Sequence, residues 1–175
     1  MEKRVVMFKW LWLALLVVIL DQVSKQVATS ALTMHDPKAF LPFFNFTLTY
    51  NKGAAFSFLS DAGGWQRWFF TILAIGVSIF IFFWLKKLTS KEKLLAISLS
   101  LILGGAIGNV IDRSLYGYVI DFIDWFYPSS ECLPFFFSIN QTTCHWPTFN
   151  IADSAIFIGA VLIILQALFS KESKE

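Results

Sequence analysis

Residues 104–124 read GGAIGNVIDRSLYGYVIDFID, and the fold turns on how that stretch divides. Its first half is apolar and small-faced, fit for a helix in lipid. Its second half carries Asp112, Arg113, Asp121 and Asp124. Ionisable residues at the end of a membrane span are costly to hold there, and they mark a functional site more often than a solvated face. Gly104 and Gly108 form a G-x-x-x-G pair, which lets a neighbouring helix approach closely. Gly105, Asn109 and Asp112 fall at i, i+4 and i+7 of a helix, so the polar pair shares one face, directed into the bundle. Asn109 alone reads as a helix-to-helix hydrogen bond; its crowding with Asp112, Arg113 and Asp121 favours function. A second fragment, FNIADSA at 149–155, sets Asp153 at the start of the last apolar run.

Outward from that stretch, composition excludes an ordinary soluble domain. Apolar residues make up 57% and charged residues only 15%, with a mean hydropathy of +0.64. Apolar runs of about 20 residues span hydrocarbon, and four are present, at approximately 10–30, 65–85, 94–113 and 150–169. The expectation is an all-α polytopic membrane protein: one domain over 1–175, a four-transmembrane-helix bundle with a small extracytoplasmic β-hairpin or cradle. A net charge of +2 is too small and scattered for nucleic acid. The twenty Phe and seven Trp crowd the ends of the runs, as interfacial residues do.

The first run begins after Lys3, Arg4 and Lys9. A secretory signal peptide is the lesser reading of its basic start and apolar middle, because Asp21 and Lys25 interrupt the place where a cleavage region is expected to be neutral. Those two residues are four apart on one helical face; an intrahelical ion pair and a site role both fit them. From Thr33 to Ser60, Phe46, Leu48 and Tyr50 alternate with Thr47, Thr49 and Asn51, which predicts a strand. Asn51-Lys52-Gly53 predicts a turn, and Phe56 and Phe58 resume the alternation as a hairpin partner. Its aromatic face meets lipid or substrate, or packs on the helices. Residues 115–147 read as a polar-aromatic loop, and Asn150 stands ready to cap the last helix.

Orientation follows from the basic residues. The N-terminus, the Lys86–Lys93 loop and the tail hold nine of the fourteen Lys and Arg, so the positive-inside rule predicts cytoplasmic termini. Asp112 lies 19 residues past Lys93 and Asp153 lies 18 before Lys171. At ~1.5 Å per residue each is roughly 27–29 Å from the inner boundary, at the outer interface. Asp21, only 12 residues past Lys9, sits deeper, at about 18 Å.

Two carboxylates in a partly dry site cannot both ionise comfortably, so one keeps a proton. The ionised one can take a proton from water while the neutral one polarises a carbonyl. No other hydrolytic motif is present: no HExxH, no G-x-S-x-G, no Gly-rich phosphate loop. His35 and His145 stand apart in loops and read as surface residues. Cys132 and Cys144, twelve apart without a CxxC, do not suggest zinc; a disulfide on the oxidising side and two separate buried thiols both fit them. Asp124, in the aromatic loop, is expected to be dispensable.

DQVSK (21–25), NKGAAF (51–56), GNVIDR (108–113), VIDF (119–122) and FNIAD (149–153) occur in this order. Together with four spans they closely resemble the lipoprotein signal peptidase (signal peptidase II) family, over nearly the whole chain. The resemblance implies a catalytic pair, Asp121 and Asp153, with supporting roles for Asp21, Lys25, Asn51, Gly53, Asn109, Asp112, Arg113, Asn150 and Ala152. It implies an aspartic endopeptidase that cuts the signal peptide of bacterial prolipoproteins just before a diacylglyceryl-modified cysteine. It implies no metal and no cofactor, and lipid-modified prolipoprotein signal peptides and membrane lipids as partners of a monomer in the inner membrane. The loop between the two catalytic motifs is longer than the family's usual one. Two rival classes stand beside this: a proton- or ion-coupled transporter, since intramembrane carboxylates also mark transport paths, and a scaffold without chemistry. Against the first, four spans are few and the acids gather at one surface; the second leaves the acids unexplained.

Overall fold

The computed structural model describes residues 7–53, 64–138 and 141–172. Among the described residues four helices form: α1 (Met7–Ala31), α2 (Trp65–Leu85), α3 (Lys93–Leu115) and α4 (Ile151–Glu172). Each holds a segment of at least 19 residues that is long and apolar enough to cross a membrane. The chain divides into two compact units, 1–22 with 72–111 and 151–175, and 23–71 with 112–150.

The first unit is helical. Ala14, Ile81, Leu85, Leu88, Ala96, Leu99 and Leu103 make its core, and α3 is the most enclosed of the spans. Outer faces are apolar yet open, with Ile72 of α2 67% exposed and Phe157 of α4 69%; such surfaces belong in lipid, not water. The glycines of α3 explain how its neighbours come so near. A Cβ on Gly104 would stand 2.6 Å from the Ala14 carbonyl oxygen, and one on Gly105 would strike the Ala152 carbonyl. At the start of α3, the Thr89 N–H and hydroxyl both donate to Glu92 Oε2, at 2.8 and 2.9 Å. These bonds hold the Glu92 carboxyl below the usual range.

The second unit is built on a sheet. Its strands are β1 (Lys38–Leu41), β2 (Phe44–Asn51), β3 (Val119–Pro128), β4 (Phe137–Ser138) and β5 (Thr143–His145), in the order β1-β2-β3-β5-β4, all antiparallel. The strand expected over 46–51 is present as β2, which pairs with β1 and β3; the second arm expected at Phe56 and Phe58 lies outside the described residues. The sheet corrects the loop expected over 115–147. Val119–Asp124 is buried on both faces except for Ile123, so it lacks the alternation of a half-wet strand. Cys132 and Cys144 are joined by a disulfide that ties β5 to the preceding loop.

Candidate active site

The residues named from sequence fall into two polar clusters, one in each unit. In the helical unit, Asp21 is fully buried. Its Oδ1 accepts the Ala152 N–H at 2.9 Å, supplying one of the partners that the first turn of α4 needs. A carboxylate there also faces the positive end of the helix dipole. Gln22 Nε2 donates to Asp21 Oδ2 at 3.2 Å and to the Gly108 carbonyl at 3.3 Å. Gly108 gives it room, because a Cβ there would lie 2.5 Å from Asp21 Oδ2 and force a shift. The next residue, Asn109, donates from Nδ2 to Asp153 Oδ1 at 2.7 Å. Asp21, Asn109, Ala152 and Asp153 are thus linked by the meeting of α1, α3 and α4.

In the sheet unit, Asp121 is 2% exposed and each carboxylate oxygen receives an amide. Asn150 Nδ2 donates to Oδ1 at 2.7 Å and Asn51 Nδ2 to Oδ2 at 3.1 Å. The Asn51 Oδ1 accepts the Gly53 N–H at 2.9 Å, and Arg113 Nη2 donates to the Gly53 carbonyl at 3.0 Å. Asn150 stands directly before Ile151, at the N-cap position of α4, and its amide also donates to the Ile120 carbonyl at 3.2 Å. Lys25 Nζ pairs with Asp112 Oδ2 at 2.8 Å, and that oxygen accepts the Ile120 N–H at 3.0 Å. Asp121, Asn51, Gly53, Arg113, Asn150, Lys25 and Asp112 therefore belong to one hydrogen-bonded neighbourhood.

Three features escape a reading by sequence. Arg67 Nε and Nη2 donate to the Arg113 and Ser114 carbonyls at 2.8 and 3.1 Å, closing the end of α3; nothing in the sequence marks it. The end is completed by Gly117 at φ +85, the left-handed conformation that glycine adopts freely. Thr49, directly across the ladder from Asp121, shares a hydroxyl hydrogen bond with Thr148. Third, His145 is not a surface residue: it is 8% exposed, with Nδ1 2.8 Å from Asp124 Oδ1 and Nε2 3.0 Å from the Thr143 hydroxyl. Asp124 is correspondingly a buried strand residue and not part of a loop. Their partnership spans 21 residues of sequence, beyond the reach of any local pattern.

Among the described residues no group of three or more His, Cys, Asp or Glu could hold a metal ion. The family model for signal peptidase (SPase) II matches residues 13–169. Proteins named lipoprotein signal peptidase are similar throughout. That of Teredinibacter turnerae is 50% identical over 161 residues, covering 92% of this chain and 88% of the relative. That of Shewanella baltica strain OS195 is 49% identical over 166 residues, covering 95% and 89%. A bacterial membrane enzyme solved in meso at 2.3 Å shares the fold with a TM-score of 0.79 and 32% identity, covering all of this chain and 96% of that one. Nothing in these likenesses supports the transporter reading. Four spans and this kinship make the chain a multi-pass inner-membrane protein. The chain belongs to the signal peptidase II family, a family of aspartic peptidases.

Proposed function

We propose that the chain removes signal peptides from bacterial prolipoproteins, cutting before the diacylglyceryl-modified cysteine, with Asp121 and Asp153 as the catalytic pair. The observation that carries this is the treatment of Asp121: a buried carboxylate with both oxygens engaged by amides. Two amide donors fix the orientation of the carboxylate, and a carboxylate so oriented can take up and release a proton. Chain connectivity supports the pairing, since Asn150, which holds Asp121, precedes Asp153 by only three residues. In the reaction the ionised carboxylate takes a proton from water as its oxygen adds to the scissile carbonyl. The protonated carboxyl hydrogen-bonds and then protonates the carbonyl oxygen. Collapse of the tetrahedral diol breaks the C–N bond, the amine leaves with the proton taken from water, and a diol hydroxyl returns its proton to the other carboxylate, so that the pair again shares one.

The chain acts as a single functional domain and a monomer; its termini are cytoplasmic and its site is at the outer face, an orientation that the distribution of Lys and Arg supports. The Cys132–Cys144 bond agrees with an oxidising side for the sheet unit. A lipid anchor then stays in the bilayer while the peptide enters sideways, and the aromatic face of Phe40, Phe44 and Phe46 meets membrane lipid or substrate. The test is cleavage by the purified enzyme of a prolipoprotein with and without the diacylglyceryl group. Cleavage of the modified precursor alone is expected; failure on both, in folded protein, defeats the reading.

A further inference from the structure

The register of β2 on β3 changes within the strand. Phe46 pairs with Ile123 but Thr49 pairs with Asp121, so Thr47 and Leu48 together oppose Phe122. This is a β-bulge, and its effect on the site is large. With the upstream register continued, Leu48 would stand opposite Asp121. A slip of one residue turns every later side chain to the other face, so Asn51 would point away from the carboxylate it now holds. The bulge is what brings Thr49 and Asn51 to Asp121, and bulges beside active sites commonly re-aim a side chain in this way.

A bulge leaves one residue without its regular ladder partner, so something must hold it. Thr47 is one of the two bulged residues, and its hydroxyl donates to Asp124 Oδ2 at 2.8 Å in a buried contact. Asp124 Oδ1 is met by His145 Nδ1, also at 2.8 Å, and His145 Nε2 by the Thr143 hydroxyl. His145 stacks on Phe126 with ring centroids 5.4 Å apart. Its neighbour Cys144 is fully buried and bound to Cys132. The chain of contacts therefore runs from the bulge in β2 across β3 to an anchored β5.

We propose that Thr47, Asp124 and His145 are positioning residues: a buried latch that holds the β2 bulge and thereby sets Asn51 against Asp121. The inference rests on the proposed peptidase function for its catalytic consequence, and on the strand register alone for its structural one. The full-length enzyme with Thr47→Val tests it, because valine keeps the shape and β-branching and deletes only the hydroxyl. The kcat on a diacylglyceryl-modified precursor should fall by about tenfold or more with KM within about twofold, since the loss is of orientation and not of substrate contact. Thr47→Ser, which restores the hydroxyl, should return kcat to the wild-type value. Amide hydrogen exchange at Leu48–Asn51, measured without substrate, should quicken in Thr47→Val and not in Thr47→Ser. If Thr47→Val does not accumulate, His145→Phe, which keeps a ring on Phe126 and removes both hydrogen bonds, should show the same two changes. Unchanged exchange and kcat in the variant, or equal losses in Thr47→Val and Thr47→Ser, would overturn the latch. Exchange judges it even if the wild-type protein cleaves nothing, a result that would instead remove the proposed function.

Discussion

Lys25 Nζ lies 2.8 Å from Asp112 Oδ2, with both side chains almost wholly removed from solvent. Removing one member of such a pair strands the other charge, at about 3–5 kcal/mol. Lys25→Met should therefore be strongly destabilising. Lys25→Met combined with Asp112→Asn leaves no charge behind and should recover much of the loss. Denaturation in detergent measures both; a double variant no more stable than the single one would show that the pairing is not what Lys25 contributes.

Gly108 separates two opposite outcomes of the same substitution type. A Cβ there meets Asp21 Oδ2 at 2.5 Å and the Ala152 Cβ at 3.3 Å, whereas one on Gly76 of α2 meets nothing within 4 Å. Gly108→Ala should lower stability by about 1–3 kcal/mol through overpacking and disturb the Asp21 cap on α4. Gly76→Ala should be neutral or stabilising by up to about 1 kcal/mol. Equal melting temperatures for the two variants would contradict the close approach.

The Cys132–Cys144 bond closes a loop of 12 residues' separation, which stabilises a fold by about 3 kcal/mol in the chain-entropy account. Replacing both cysteines with serine should lower the melting temperature. In the proposed orientation the sheet unit lies outside, so in intact spheroplasts a membrane-impermeant phosphine should reduce the bond. Protection from that reagent, with reduction after lysis, would reverse the orientation.

Tyr118 stacks between Tyr50 and Tyr116, at centroid distances of 4.3 and 6.0 Å. Burial first, and then its tyrosine neighbours, push its hydroxyl above the ordinary 10.0. The folded state thus keeps this proton longer than the unfolded chain. The stability it brings is complete below the ordinary pKa and is lost as pH rises through the folded one. Tyr118→Phe should flatten the decline of melting temperature above about pH 10; an identical alkaline slope would remove Tyr118 as its source.

The spans are legible because lipid demands long apolar helices, and runs such as Trp65–Leu85 meet that demand with little else to confuse them. The glycines of α3 are legible in the same way, as a small face that invites Ala14 and Ala152 close. The strand from Val119 to Pro128 is not, because burial of Val119–Asp124 on both faces erases the alternation that identifies a strand at a wet surface. Nor is the bulge at Thr47–Leu48, which depends on a partner more than seventy residues away. His145 illustrates the general difficulty: a histidine between loop-forming residues looks exposed until the fold brings Asp124 to it. Asn109, Asp112, Arg113, Asp121 and Asp153 are marked by polar groups crowded at the ends of apolar runs. Site roles for Asn51, Gly53, Asn150 and Ala152, in contrast, are readable only because their motifs resemble a family, and Arg67 belongs to none of those motifs.

The most direct test of the central claim is cleavage of a diacylglyceryl-modified prolipoprotein by Asp121→Asn and Asp153→Asn, each purified and shown to melt as the wild-type protein does. Asparagine keeps the volume and the capacity to hydrogen-bond, but it cannot take the proton of water or share one. Each variant should lose turnover by at least roughly 10²–10⁴-fold while the fold persists. Near-wild-type cleavage by either variant would contradict a mechanism in which the two carboxylates act together.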